Sequence, residues 1–385
     1  MSDEKNPLLS ILIPTKNRSS TAIICVVEAT KVGSPEEVEI VIQDCSDNNI
    51  LEQLLYEVNL FGRVHYYRTE RPVSMVENWN IGTSRLHGEF VTIIGDDDAV
   101  YPSIINVARW AKKNNFKAVK QKKYDFFGWP DLFDKTLAEK FIYHDFTGKY
   151  DLVNVLDLLT KFSKTGDEYP TFPMVYHNLI RRSVLEDIHD KTGVYFDGVS
   201  PDIYSAYAIA AIIDNFIVLD YPFTIVGASK NSNTNRTKVG DGHMHFNEFE
   251  NYKFTTLSPE TWGLYGSNSD SMIKAFINIG RKDLLTNIDI TRVFARTIVA
   301  EPSRTIEHSK KYLLAVSSFG RNKVLSYTLL WLNIIAKYLL VYLRKLTRTK
   351  PVILNASKSR VASIEEAIHM QMDLLERRGI VLGGR

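Results

Sequence analysis

The stretch from Val91 to Val100, Val-Thr-Ile-Ile-Gly-Asp-Asp-Asp-Ala-Val, constrains the fold of this chain more than any other. Four apolar or β-branched residues lead directly into a glycine and three consecutive carboxylates, and Tyr101 and Pro102 follow. An apolar run of this length predicts a buried strand, and a cluster of Gly and acids before a proline predicts a turn. Because open α/β sheets bind ligands outside the carboxyl ends of their strands, we expect the three acids at a ligand-binding edge.

Asp96, Asp97 and Asp98 repel one another unless a cation or a set of hydrogen-bond donors neutralises their charge. Mg²⁺ in proteins prefers one or two carboxylates together with phosphate oxygens. The triplet therefore predicts a divalent metal that holds a diphosphate. The alternative is a solvated acidic turn.

Strands and helices alternate in the first part of the chain. Apolar runs predict strands at 8–14, 38–43 and 64–67, and helical spacing predicts helices at 21–30, 50–59 and 74–86. The last of these helices begins with Ser74 and Glu77 in the pattern of a capping box. This alternation is typical of parallel βαβ units, so we expect an α/β fold whose sheet is mostly parallel, with helices on both faces.

Four short motifs follow one another in a specific order. They are Pro14-Thr15-x-Asn17-Arg18 after the first strand, Asp44 after the second, Asn80-x-Gly82 before Gly88-Glu89, and the Asp triplet. Together they resemble the family 2 glycosyltransferases, which have the Rossmann-like GT-A fold. The resemblance is close over residues 8–105 and looser as far as residue 230.

The resemblance also implies an activity. It implies a metal-dependent, inverting transfer of a sugar from a nucleotide-diphosphate donor, with a UDP-sugar favoured, to a hydroxyl of a glycan or lipid-linked acceptor. The implied cofactor is Mn²⁺ or Mg²⁺. Enzymes of this type with a membrane-seeking tail build surface polysaccharide, such as capsule or O-antigen, on a lipid carrier.

Two other functions remain open at this point. One is a nucleotide-binding scaffold without catalysis. The other is a sugar-nucleotide nucleotidyltransferase, but the opening loop of that class is rich in glycine, whereas the loop here, Thr15-Lys-Asn-Arg-Ser19, contains none.

Residues that match the family's donor site can be named one by one. By resemblance, Pro14, Thr15, Asn17 and Arg18 would wrap the nucleotide, and Asp44 would bind the uracil. The alternative for Asp44 is a purely structural Asx-turn.

The resemblance gives each acid of the triplet a role, although the register is ambiguous. We favour Asp96 toward the ribose and Asp98 on the metal, with Asp96 as a further metal ligand. Asp97 counts among the donor contacts and is the alternative metal ligand.

Two positions depart from the family pattern. Gln43 precedes Asp44 where two acids are usual, and Trp79 stands where an Arg usually precedes the Asn-x-Gly motif. The first change bears on base recognition, and the second removes a positive charge near the site.

Asp202 is similar in position to the family's catalytic base, although Pro201 stands where a Glu is common. The alternative is that Ser200 or Asp202 caps a helix that begins at Pro201. A helix N-terminus stabilises the carboxylate and lowers its basicity, so burial or a nearby acid would have to raise it.

A polar segment after residue 226 carries three cations, Lys230, Arg236 and Lys238, which are candidates to close over a diphosphate. His243 or His245 is a candidate to complete the metal shell. For this histidine pair, an incidental surface position is the alternative.

From about residue 255 the pattern becomes helical without a further catalytic signature. We therefore divide the chain into a GT-A domain at 1–255 and a helical C-terminal extension at 256–385. Within the first, 1–110 is the nucleotide-sugar half and 111–255 the acceptor half.

The extension is basic, with twelve Lys and Arg but only Glu307 as an acid between Arg304 and Arg360. Its segment 324–343 is the most hydrophobic of the chain, which favours an anionic membrane surface over nucleic acid. A buried helix is the alternative. An amphipathic helix at 364–378 indicates a homo-oligomer contact.

The remaining composition is ordinary for a cytoplasmic protein. Cys25 and Cys45 form no disulfide framework or metal-ligand pattern, and residues 1–10 contain no apolar core of a signal peptide. We expect a cytoplasmic location, with the protein peripheral on the inner face of the membrane.

Overall fold

The computed structural model describes residues 6–165, 171–232, 252–262, 264–286, 288–346 and 356–384. Arg236, Lys238, His243 and His245 lie outside the described residues. The described strands are β1 Leu9–Thr15, β2 Val38–Asp44, β3 His65–Arg68, β4 Phe90–Ile93, β5 Ala99–Val100, β6 Ala118–Gln121, β7 Asp125–Gly128, β8 Lys140–His144, β9 Tyr150–Asn154, β10 Leu179–Arg181, β11 Asn215–Leu219, β12 Thr224–Ala228 and β13 Ala356–Arg360.

The described α-helices are α1 Ser19–Thr30, α2 Ile50–Glu57, α3 Met75–Thr83, α4 Ile104–Lys113, α5 Val155–Thr165, α6 Arg182–Thr192, α7 Pro201–Ala210, α8 Leu264–Ile279, α9 Lys282–Thr286, α10 Ile290–Ala300, α11 Thr305–Ser318, α12 Lys323–Leu346 and α13 Ile364–Arg377. Ser74 accepts a hydrogen bond from the N–H of Glu77 and caps α3, as the sequence predicted.

The main sheet confirms the predicted α/β class. Its eight strands have the order β3-β2-β1-β4-β10-β6-β11-β9. The first four are parallel to one another, whereas β10 runs antiparallel to both of its neighbours and β9 runs antiparallel to β11. The parallel half carries the family motifs, and in its register Thr15 lies beside Asp44 at the carboxyl ends of β1 and β2.

Helices cover both faces of this sheet because its inner strands are apolar on both sides. In β1, Ile11 and Ile13 belong to the core beneath α1 and α4, and Leu12 belongs to the core beneath α3, α6 and α7. Such two-sided burial is typical of parallel strands in α/β proteins. A second sheet of five strands, ordered β13-β8-β7-β12-β5, packs beside α1 and α13.

Helices α8 to α12 form the first part of the predicted C-terminal extension. Helix α8 packs against α7, and α10 packs against α12. No helix among the described residues is long and apolar enough to cross a bilayer.

The end of the chain departs from the predicted helical extension. Strand β13 pairs antiparallel with β8, so the extension completes a sheet of the preceding domain. In α13, Ile364 and Ile368 are buried against Tyr101 and Cys25 of that domain. The apolar face of α13 is therefore not free for the homo-oligomer contact that the sequence indicated, because the same chain already covers it.

Removal of a buried side chain from α13 should destabilise the whole protein. We expect Ile364→Ala to lower the free energy of unfolding by about 2–5 kcal/mol, because the side chain is fully buried. Val381→Ala is the matched control, since Val381 is exposed, and should change stability by less than about 0.5 kcal/mol. Urea denaturation measures both, and equal midpoints for the two variants would show that α13 is not part of this core.

Candidate active site

The loops after β1 and β2 are joined by side-chain hydrogen bonds. Asn17 has a left-handed backbone with φ 59°, which asparagine tolerates better than most residues. Its N–H donates to Ser46 Oγ at 2.7 Å, and its side chain exchanges two hydrogen bonds with Asp47 at 2.7 and 3.0 Å. The first predicted donor loop is thereby braced against the second.

Asp44 is fully buried at the end of β2. It accepts hydrogen bonds from the N–H of Ser46 at 2.7 Å and from the hydroxyl of Tyr66 at 2.9 Å. The first bond is the Asx-type turn that the sequence left as an alternative. A carboxylate has about four acceptor positions, so these two bonds leave capacity for a base N–H.

Asp96 contacts two other residues that were predicted to bind the nucleotide sugar. Thr15 Oγ1 donates to it at 2.6 Å, and Arg18 forms an ion pair with it at 2.9 Å. Burial raises the pKa of Asp96 above its ordinary value, although Arg18 and Thr15 both stabilise the charged form. Pro14, which pairs with Gln43, completes the predicted first loop.

Asp97 is held by the segment after β12. Its Oδ2 accepts hydrogen bonds from the N–H and hydroxyl of Ser229 at 3.1 and 2.8 Å and from the hydroxyl of Ser232 at 2.6 Å. Burial, with the neighbouring charges of Asp98 and Asp96, raises the pKa of Asp97 to about 6. Its Oδ1 accepts no hydrogen bond from a described residue.

Asp98 has protein partners around both oxygens. Oδ2 accepts hydrogen bonds from the N–H of Gly95 and the hydroxyl of Tyr176, and His177 Nε2 lies 3.0 Å away, off the line of a hydrogen bond. Oδ1 accepts from the N–H of Gly227 at 2.7 Å. Burial raises the pKa of Asp98, but these partners lower it by more, and the net pKa lies below the ordinary value.

Two glycines make this packing possible. A Cβ on Gly95 would lie 2.7 Å from Asp98 Oδ2 and 3.0 Å from the Tyr176 hydroxyl. A Cβ on Gly227 would lie 1.5 Å from the backbone oxygen of Asp97. Any larger residue at either position would push the triplet out of place.

Asp202 lies in the first turn of α7, one residue after Pro201. Ser200 makes no side-chain cap and instead donates to Asn268 of α8 at 3.2 Å. Burial raises the pKa of Asp202, and the N–H groups of the helix start and the charge of His177 offset this only in part. Asp202 is only half-buried, but this is enough to raise its pKa in the direction that the sequence argument required for a base.

His177 contacts the triplet, with Nε2 3.0 Å from Asp98 Oδ2. Its charge also lowers the pKa of Asp202, although burial outweighs this effect. Its backbone is left-handed, with φ 61°, a conformation that non-glycine residues adopt at a cost and that often occurs at functional sites. Tyr176 and His177 escaped the sequence analysis because a single pair of ring residues carries no motif.

A family comparison bears on the class of the chain. The model described as Glycosyl transferase family 2 matches residues 10–191. Over these residues, just under half of the chain, the sequence is similar to the family 2 glycosyltransferases. No curated protein matches it.

Several solved structures resemble the chain in overall arrangement. S. aureus TarS 1–349 in complex with UDP is 14% identical with a TM-score of 0.46, covering 92% of this chain and 97% of that chain. The complex of TarS 1–349 with UDP-GlcNAc is 13% identical with a TM-score of 0.46, covering 81% and 91%. At these values neither a substrate nor a residue role transfers to this chain.

The Asn80-x-Gly82 motif supports the backbone that leads to Asp202. Asn80 donates to the carbonyl of Phe196 at 2.9 Å and accepts from the N–H of Tyr195 at 2.8 Å. Trp79, which replaces the usual Arg, packs against Phe196 and Tyr176. This tryptophan therefore forms an apolar wall beside the triplet where a cation was expected.

Lys230 lies away from the triplet. Its ammonium stands 5.7 Å from the centre of the Phe133 ring, and its N–H donates to Asp131 at 3.2 Å. Within the described part of this segment, the hydroxyls of Ser229 and Ser232 donate to Asp97. Their signal in the sequence was the small, polar composition of the loop.

A divalent metal fits one position of the triplet. Among the described residues no group of three His, Cys, Asp or Glu side chains could hold a metal by itself. Mg²⁺ needs only one or two carboxylates when phosphate oxygens and water supply the rest. Asp97 Oδ1, which accepts no hydrogen bond from a described residue, meets this requirement, whereas both oxygens of Asp98 already accept hydrogen bonds from the protein.

Proposed function

We propose that the protein is a metal-dependent, inverting glycosyltransferase that moves a sugar from a UDP-sugar to a hydroxyl of a glycan or lipid-linked acceptor. The observation that carries this proposal is the junction of two sites. His177 contacts Asp98 of the triplet, and its charge also acts on Asp202, whose pKa is raised by burial. Surface polysaccharide, built at the inner face of the membrane, is the process in which we place it.

The donor half of the proposed site is built from the two braced loops. Asp44 keeps acceptor capacity for the N–H of uracil, and Asp96 is oriented by Thr15 and Arg18 toward the ribose. Because Asp44 and Thr15 lie side by side at the sheet edge, one nucleoside can reach both. This supports the nucleotide roles carried over from the family.

For the metal we propose Asp97 rather than Asp98 as the principal ligand. Asp97 Oδ1 accepts no hydrogen bond from a described residue. Asp98, in contrast, already contacts four protein groups: Gly95, Tyr176, His177 and Gly227. A bound Mn²⁺ or Mg²⁺ would neutralise the charge that develops on the departing diphosphate. Asp98 then holds the side chains of Tyr176 and His177 in place.

In the proposed reaction Asp202 removes the proton from the acceptor hydroxyl. The acceptor oxygen forms a bond to the anomeric carbon while the bond from that carbon to the diphosphate oxygen breaks. The electron pair leaves with the nucleoside diphosphate, and the proton remains on Asp202. Because attack and departure occur on opposite faces, the configuration inverts.

A scaffold that binds a nucleotide sugar without transfer is the second candidate. Pro201 in place of the family's Glu favours it, because one acid of the usual pair is missing. Pro201 also occupies the first position of α7, where proline is well tolerated. The helix start is therefore intact, and the missing Glu does not disturb Asp202.

A panel of nucleotide sugars, each tested by thermal unfolding in Mn²⁺ and in EDTA, distinguishes these candidates. We expect UDP-sugars to raise the melting temperature more in Mn²⁺ than in EDTA, because a ligand stabilises the state that binds it. The stabilising donor should also be hydrolysed slowly or transferred to added acceptor. Stabilisation without any turnover would favour the scaffold, and no stabilisation by any nucleotide sugar would contradict both.

A further inference from the structure

Helix α12 turns several of its polar residues toward the protein. Leu330 and Ile334 are buried in the core that also contains α10, and Ser326, one turn earlier, is buried with them. The helical repeat places Asn333 and Lys337 on this same side. A helix on the surface of a soluble domain normally shows the reverse arrangement, with polar residues directed outward.

The opposite side of α12 is exposed and apolar. Twelve large apolar side chains of this helix have exposed fractions from 38% to 78%. Leu332, Ile335 and Leu339 lie at the centre of this outward face, and Trp331, Tyr338 and Tyr342 lie along one border. An exposed apolar surface of this extent marks an interaction site.

The charged residues at the start of the helix are basic. Arg321 and Lys323 are exposed there, and α12 itself contains neither Asp nor Glu. Apolar centre, aromatic border and basic surroundings together suit the headgroup region of an anionic bilayer. A two-fold dimer would bring the same basic residues face to face, which disfavours a second copy of the chain.

We propose that the outward face of α12 lies in the surface of an anionic lipid bilayer, with the helix axis parallel to the membrane. The helix is not long and apolar enough to cross the bilayer, and its polar side is occupied by α10. The contact requires neither donor nor acceptor, so it goes beyond the proposed glycosyl transfer and can fail independently of it.

Co-sedimentation with vesicles tests this proposal. The variant replaces Leu332, Ile335 and Leu339 by Asp, and the matched control replaces Leu152, Leu156 and Val381, three exposed apolar residues elsewhere, by Asp. Vesicles of phosphatidylcholine with phosphatidylglycerol should bind the wild type and the control. The α12 variant should bind at least about a hundredfold more weakly, because it loses apolar insertion and adds negative charge.

Further experiments distinguish an anionic bilayer from other partners of the outward face of α12. Wild-type binding should weaken on vesicles of phosphatidylcholine alone and in high salt, since the basic residues are then unused or screened. Hydrolysis of the soluble donor should be the same in all three proteins. Vesicle binding by the α12 variant that equals wild-type binding overturns the proposal. The proposal also fails if the wild type does not bind vesicles but forms a dimer in sedimentation velocity, and the α12 variant is a monomer.

Discussion

Asp202→Asn should reduce sugar transfer by about 10²–10⁴-fold while leaving the affinity for nucleoside diphosphate nearly unchanged. The amide keeps an oxygen near the start of α7 but cannot accept a proton from the acceptor. In the proposed mechanism, donor binding depends on Asp44, Asp96 and the metal instead. The free energy of unfolding should therefore change by much less than the roughly 1 kcal/mol that the loss of a helix cap costs.

The pH dependence gives this prediction a second readout. A base must be deprotonated to act, and burial raises the pKa of Asp202. Wild-type kcat/KM should therefore fall, as the pH is lowered, at a pH above the ordinary titration range of an aspartate. The residual activity of Asp202→Asn should lack this decline.

Asp197→Asn is the matched control, five residues before Asp202 in the same loop. The Asp197 carboxylate accepts from Asn278 at 3.0 Å and lies 3.4 Å from the ammonium of Lys274, so its charge is already engaged. We expect its variant to retain most of the transfer rate. An Asp202→Asn enzyme that keeps more than about a tenth of the wild-type rate would move the base elsewhere, with Asp197 the first acid to consider.

Asp97→Asn and Asp98→Asn should fail in different ways. In Asp97→Asn the amide oxygen can accept the bonds from Ser229 and Ser232 while the amide nitrogen replaces the open Oδ1. Stability should persist, and Mn²⁺-stimulated transfer should drop by about a hundredfold or more, because charge neutralisation by a metal is worth several kcal/mol. In Asp98→Asn an amide N–H group must face the donors of Gly95 or Gly227, which should cost about 1–3 kcal/mol for each unsatisfied group.

Thermal unfolding with and without Mn²⁺ and UDP separates the two variants. Asp97→Asn should unfold at the wild-type temperature without ligands and show no metal-dependent stabilisation. Asp98→Asn should unfold at a lower temperature and keep some metal response. The opposite pattern, with Asp98→Asn stable and unresponsive to Mn²⁺, would restore Asp98 as the metal ligand.

The parallel half of the sheet was predictable because local and tertiary preferences agree there. The runs at 8–14 and 38–43 form strands that are buried on both faces, and both faces are covered by helices. Ser74 was predictable as a cap because its partner Glu77 lies three residues away. In such segments the pattern that forms the element and the partners that stabilise it lie close together in the sequence.

Strand β13 was not predictable. Its sequence, Ala-Ser-Lys-Ser-Arg, has no apolar alternation, and its extended form depends on pairing with β8. The register of the triplet was undecided for a related reason. The groups that distinguish Asp97 from Asp98 are Tyr176, His177, Ser229 and Ser232, all more than seventy residues away in the sequence.

The return of the chain end to the first domain has a consequence for synthesis. Arg360 pairs with Glu139 across 221 residues, and Arg378 pairs with Asp145 across 233 residues. At about 5–20 residues per second a ribosome needs on the order of 10–45 s to cover that distance. During this interval β8 has an unpaired edge, and the apolar surface around Tyr101 has no α13 to cover it. The domain that carries the proposed site is therefore completed only after the residues of β13 and α13 have been synthesised, and until then chaperones that bind exposed strand edges have a target there.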